Sequence, residues 1–219
     1  MNLRTIMNKL REERKVFHSE ADFQHSLGWM IREHHPNARV RLEVKNFYPT
    51  EASKGPKRKR TLRKSVDILV EVGRKKLAIE LKYKTKKVKG FTTFTWDGEK
   101  FQVPTEGARD ISRYDFLSDV IRLEKNVISG KVAGYAILLT NDPLYWEKPT
   151  IVTIDREFRI HKEKGMIKGR MKWQGAGKGT TKNREAPIVI KKEEGYPIVW
   201  KHYSDVEDSE FRYLLVQIG

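Results

Sequence analysis

The chain has 219 residues, 45 Lys and Arg against 29 Asp and Glu, a net charge of +16 and no cysteine. That length suits one α/β domain with an elaboration and is enough to bury a core without staples. The missing cysteines exclude disulfides, thiolate metal sites and a cysteine nucleophile. The charge excess attracts polyanions, because each phosphate neutralised releases condensed counterions.

Residues 1–17 are charged throughout, lack the apolar centre of a secretory signal, and read as an N-terminal extension. No apolar run approaches membrane-spanning length, so a soluble, cytoplasmic protein without a membrane partner is expected. Over residues 18–35, Phe23, Leu27, Met30 and Ile31 recur at helical spacing; Ser19 and Asp22 resemble a capping box, and Pro36-Asn37 stops the helix. Val40, Leu42 and Val44 then alternate with Arg41, Glu43 and Lys45, the pattern of a half-buried strand. A polar, basic stretch at 49–64 separates it from two apolar runs, Ser65–Val72 and Lys76–Tyr83, which flank Gly73-Arg74-Lys75 and predict a β-hairpin. A second small hairpin is expected over Phe94–Val103 around Asp97-Gly98.

Residues 107–129 form a long amphipathic helix with Ile111, Tyr114, Leu117 and Val120 along one face, ended by Gly130. Gly134–Thr140 is a nearly continuous apolar run, as in a strand covered on both faces. This α-β-β-β-α-β order predicts an α/β domain at 18–149, a mixed central sheet flanked by helices. Phe158–His161, Ile188–Ile190, Ile198–His202 and Phe211–Ile218 are short strand candidates, so 150–219 reads as a β-rich C-terminal elaboration of the same domain.

Side chains alternate along a strand, so Ala78, Glu80 and Lys82 share one face, and Asp67 of the neighbouring strand can lie opposite them. Two carboxylates and an ammonium thus meet on an otherwise apolar pair of strands. Hard oxygen ligands of this kind hold Mg²⁺ or Mn²⁺, which polarises a phosphate and acidifies bound water. Asp67 and Glu80 would be the ligands, with the Leu81 carbonyl a third. Lys82 would orient or deprotonate the attacking water, or stabilise charge on the phosphate; acting as a base would require a lowered pKa. A carboxylate and a lysine two residues apart are also common on half-exposed strands of a chain that is 34% charged. The signal lies in the sum: Glu80 interrupts Leu77-Ala-Ile-Glu-Leu, Asp67 stands thirteen residues upstream, and the chain is basic.

Val66-Asp67 followed by Glu80-Leu81-Lys82, within this element order, resembles the PD-(D/E)xK nuclease superfamily. The resemblance spans residues 18–142 and implies a restriction-endonuclease-like core. It also implies Mg²⁺- or Mn²⁺-dependent hydrolysis of DNA by an endonuclease of restriction or defence type. Many members supply a glutamate from the first core helix; Glu20 stands at that place and would ligate or support a metal, directly or through water. Val66 occupies the position of the name-giving proline, which removes no ligand. Asp110-Ile-Ser-Arg-Tyr114 lacks the glutamine of the Gln-x-x-x-Tyr pattern found in some relatives, so that role is not carried over. The segment Arg109–Leu123 also resembles a group of bacterial proteins that brings no activity with it. Alternatives are a nuclease specific for junctions or flaps, and a nucleic-acid-binding protein on the same fold without turnover.

Lys57, Arg58, Lys59, Arg60 and Arg63 read as a phosphate-gripping arm, joined by Lys84 and Arg113. The other charges of helix 107–129, Asp119 and Arg122 among them, read as a solvated face with ion pairs three and four residues apart. Gly175–Thr181 fails the P-loop pattern, since Lys178 is followed by Gly179 and Lys172 stands where the first glycine belongs; no nucleotide cofactor is expected. Assembly as a homodimer is left open.

Overall fold

The computed structural model describes residues 1–45, 47–48, 65–86, 93–103, 107–128, 132–175, 181 and 184–219. Three helices are present among them: α1 (Leu3–Glu13), α2 (Glu20–His34) and α3 (Arg109–Ile128). The longer strands are β1 (Arg39–Val44), β2 (Val66–Val72), β3 (Lys75–Lys84), β4 (Thr93–Trp96), β5 (Glu99–Gln102) and β6 (Ala133–Thr140). Four two-residue strands follow, β7 (Met166–Ile167), β8 (Arg170–Met171), β9 (Ile188–Val189) and β10 (Tyr196–Pro197), before β11 (Trp200–Val206) and β12 (Ser209–Ile218). The central sheet is mixed, with order β1-β2-β3-β6-β12-β11. β3 runs parallel to β6, and the other neighbours are antiparallel. No helix among the described residues is long and apolar enough to cross a membrane.

The two faces of the sheet bury separate cores. One is covered by α1, α2 and the β4–β5 hairpin, with Leu10, Phe17, Phe23, Ile31 and Phe101 against Ile68, Ile79, Leu81 and Tyr83. The other is covered by α3 and residues from Tyr145 to Ile198, with Phe116, Leu117, Val120, Phe158 and Ile188 against Leu69, Ala78, Leu138 and Leu214. Glu80 and Lys82, two and four residues beyond Ala78, point into this second layer.

Local chemistry accounts for most boundaries. Ser19 caps α2 by accepting the Asp22 N–H at 3.1 Å, and the Asp22 carboxylate reaches back to the His18 N–H at 2.9 Å. The β2–β3 and β4–β5 turns use Gly73 (φ 57°) and Gly98 (φ 74°), with Asp97 also left-handed at φ 49°.

Two sequence expectations are corrected. Residues 1–17 are not an extension. Asn2 caps α1, and Leu3, Ile6, Met7 and Leu10 place a fully buried stripe on the first core. Phe158–His161 is not a strand but follows a 3₁₀ turn at Arg156–Phe158, with Phe158 and Ile160 buried. The strand candidates Ile198–His202 and Phe211–Ile218 correspond to β11 and β12, and β12 pairs with β6 along Arg212↔Thr140 to Ile218↔Gly134, so this elaboration extends the central sheet. Leu10→Ala is therefore expected to destabilise the protein by about 2–4 kcal/mol through cavity formation, read from the urea midpoint. A dispensable extension would leave that midpoint unmoved.

Candidate active site

The site forms where β2 parts from β3. Their register runs through Leu69↔Ala78 and Ile68↔Ile79 and stops there. Beyond it the Asp67 side chain takes over from the ladder, its Oδ2 accepting the Leu81 N–H at 2.6 Å. On the other side β2 pairs with β1 at Ile68↔Leu42 and Val66↔Val44, skipping Asp67 and Glu43, which is left-handed at φ 51°. Gln24 of α2 pins this irregularity, donating to the Asp67 carbonyl at 2.6 Å and to Glu43 Oε1 at 3.0 Å.

Glu80 projects from β3 under α3 and is only 2% exposed. Its Oε1 accepts the Tyr48 hydroxyl hydrogen bond and lies 3.3 Å from Arg122 Nη2. The Arg122 guanidinium lies over the Tyr48 ring, 5.4 Å from its centroid, and pairs with Asp119 one helical turn earlier. Lys82 Nζ donates to the Leu81 carbonyl at 2.9 Å and sits 3.0 Å from Asp119 Oδ2 and 3.8 Å from Glu20 Oε1. Glu20, the first residue of α2, accepts the Tyr83 N–H at 2.9 Å and so reaches the same strand from the opposite layer. Four carboxylates, Glu20, Asp67, Glu80 and Asp119, thus face two cations, Lys82 and Arg122.

That imbalance shows in the proton affinities. Burial raises the Asp67 carboxyl from its ordinary 3.8 to about 6; Lys82 and the Leu81 N–H pull it down, while Asp119 and Glu20 push it further up. Burial also raises Glu80, helped by Asp119 and opposed by Arg122. Lys82 is raised too: burial alone would lower it, but Asp119, Glu20 and Asp67 outweigh burial and hold the ammonium charged. In this arrangement Lys82 is a hydrogen-bond donor and a positive charge. Tyr48 is held as the neutral phenol by burial and by Glu80.

A raised carboxyl pKa means the folded state binds its proton more tightly than the unfolded chain does. The stability from Asp67 is therefore complete below about pH 4 and lost as pH rises through about 6, with Glu80 extending the loss to higher pH. Thermal melts of Asp67→Asn are expected to show a shallower fall in Tm than wild type between about pH 4 and 6. An identical slope would mean that Asp67 carries no excess affinity for its proton.

Of the residues expected from sequence, Asp67, Glu80, Lys82, Glu20 and the Leu81 carbonyl are brought together. Lys84 lies two residues further along β3 and is half-buried. Lys57, Arg58, Lys59, Arg60 and Arg63 lie outside the described residues. Arg113 is elsewhere and is 1% exposed. Its guanidinium binds Asp155 Oδ2 at 2.8 Å and the Leu144 carbonyl at 2.7 Å and lies over the Tyr145 ring. It joins α3 to the C-terminal layer and presents nothing to a phosphate. Tyr114 is likewise committed, donating to the Ala186 carbonyl at 2.8 Å.

Asp119, Arg122 and Tyr48 enter the site without having been singled out by sequence. One signal was available for Asp119: it stands three residues after Phe116 and four before Leu123, inside the apolar face of α3. The donors are all oxygens, the set that hard divalent cations prefer. Among the described residues, however, no three His, Asp or Glu side chains converge as a metal cluster, since each carboxylate is turned to a protein donor. Comparison with protein-family models, curated proteins and solved structures finds no significant match to the chain.

Proposed function

We propose that this protein is a metal-dependent nuclease of the PD-(D/E)xK type, on a restriction-endonuclease-like core, that hydrolyses phosphodiester bonds in DNA. The observation that carries the reading is the charge imbalance around Asp67 and Glu80. Among the described residues four carboxylates share two cations there, and burial leaves Asp67 and Glu80 with raised proton affinity, in a chain whose overall charge is +16. The surplus positive charge attracts the nucleic-acid backbone, while the pocket itself attracts a cation. Mg²⁺ or Mn²⁺ fits the donor set, with Asp67, Glu80 and the Leu81 carbonyl as ligands and Glu20 as a direct or water-mediated support. When bound, such an ion supplies Lewis acidity to a phosphate oxygen and lowers the pKa of water.

The chain's own residues do the rest. To hold such an ion, Glu80 would give up the Tyr48 hydroxyl and Arg122 that it now contacts, and Lys82 would give up the Leu81 carbonyl. Held protonated by Asp119 and Glu20, Lys82 offers its N–H donors to phosphate oxygens as charge builds on them. Water oxygen bonds to phosphorus and gives up one proton to solvent as one ester P–O bond breaks, and the departing oxygen takes up one proton, leaving a phosphomonoester and a hydroxyl end.

The test is incubation of supercoiled plasmid, single-stranded, duplex and branched DNA, and RNA, with Mg²⁺, Mn²⁺ or EDTA. Cleavage that needs the metal supports the proposal, and the substrate cut separates restriction-like from junction- or flap-specific action. A second reading, nucleic-acid binding without turnover, is favoured by one observation: Glu80 and the Leu81 carbonyl already have protein partners. Salt-sensitive binding with every substrate left intact would select it.

A further inference from the structure

The helix that covers the site contributes a charged pair that the strand motif does not include. Phe116, Leu117, Val120 and Leu123 already hold α3 on the sheet. Asp119, 3% exposed, nevertheless stands within that apolar face, where an ionised carboxylate is costly unless its partners are well placed. Its partners are the two cations of the pocket, with Lys82 Nζ 3.0 Å from Oδ2 and Arg122 Nη2 on Oδ1. Arg122 is held on three sides, by Asp119, by Glu80 Oε1 at 3.3 Å and by the Tyr48 ring beneath its plane. Its Nε–H is buried with no acceptor among the described residues.

We propose that Arg122 is a phosphate-binding residue of this site and Asp119 the positioning residue that aims both Arg122 and Lys82. The inference rests on the nuclease reading in one respect: a divalent ion taking Glu80 removes one of the partners of Arg122. The guanidinium is then a planar donor fork beside the ion, still oriented by Asp119 and Tyr48. Phosphate oxygens are the ligands such a fork matches, and a lysine at the same place would supply a point charge without the paired geometry.

The experiment measures binding of a short fluorescein-labelled DNA duplex by anisotropy over a range of KCl, in Ca²⁺, with the full-length chain. Arg122→Ala is expected to weaken binding about three- to tenfold and to lower the slope of log K against log salt by about one. Arg74→Ala, the same charge change at the exposed β2–β3 turn, is the control and is expected to do less. Asp119→Asn makes the chain more positive, so simple charge would tighten binding. Positioning instead requires the slope to fall to that of Arg122→Ala.

An unchanged slope in Arg122→Ala, or an equal fall in Arg74→Ala, overturns the role of Arg122. Wild-type or tighter binding by Asp119→Asn overturns the role of Asp119. Should Arg122→Ala fail to fold, Arg122→Lys decides: weakened binding supports a fork on phosphate, and wild-type affinity overturns it. Cleavage of the same duplex by wild type in Mg²⁺ is followed in parallel. Absent cleavage of this duplex and of the plasmid, single-stranded, branched and RNA substrates, with the slope differences intact, retires the nuclease reading and leaves the phosphate site standing.

Discussion

Glu80→Gln is expected to lower Mg²⁺-dependent cleavage by about a thousandfold or more while leaving salt-sensitive DNA binding within a few-fold of wild type. The amide keeps an oxygen for the Tyr48 hydroxyl and for Arg122, so the resting arrangement around β3 survives. What is lost is the negative charge, and with it a ligand that a divalent ion requires. Stability is expected to hold at neutral pH, because burial already penalises the ionised form of Glu80. Asp67→Ala should lose cleavage to a similar degree. It should also loosen the strand end, because the Leu81 N–H then has no carboxylate to replace the missing ladder bond. Plasmid cleavage, anisotropy and thermal melts on the same preparations separate these effects. Wild-type cutting by Glu80→Gln would remove Glu80 from the site.

Arg113→Ala is expected to cost about 3–5 kcal/mol of stability, read from urea denaturation. Asp155 is 2% exposed, and removing its partner leaves a buried carboxylate with only Arg159, at 3.1 Å, and Thr153 to answer it. The Leu144 carbonyl also loses its donor. Replacing both members with apolar residues, Arg113→Met with Asp155→Leu, is expected to recover part of the loss, because no uncompensated charge then stays inside. Arg159 keeps the recovery incomplete, since it too points at Asp155. DNA affinity of the folded double variant should match wild type. A loss of affinity without a loss of stability would instead put Arg113 on the phosphate-binding surface.

The local pattern of the chain carries most of the elements that build the site. Period-two alternation marks β1 and apolar runs mark β2 and β3, while Gly73 marks the β2–β3 turn and Asp97-Gly98 the β4–β5 turn, because left-handed backbone favours those residue types. The same alternation puts Glu80 and Lys82 on one face, and the Ser19 cap brings Glu20 to the first turn of α2. Two features were not legible locally. In α1, Leu3, Ile6, Met7 and Leu10 keep helical spacing, but basic and acidic residues around them make the segment look solvated as a whole. The pairing of β12 with β6 joins residues 72 positions apart at Arg212↔Thr140, and nothing local encodes which distant strand a strand will choose.

By itself, then, the sequence determined the α/β class, the strands bearing Asp67, Glu80 and Lys82, the helix α2 that begins at Glu20, and the net charge of +16. All of these follow from backbone periodicity, turn chemistry and summed charge, which act over a few residues or over the whole chain. Only the tertiary structure decided that Arg113 is a buried strut while Asp119 and Arg122 face the candidate site, although all three lie on one helix. Only the tertiary structure, too, decided that Lys82 stays charged. Burial and the distance to an opposite charge set both outcomes, and neither quantity exists until β3, α2 and α3 have packed around the same few ångströms.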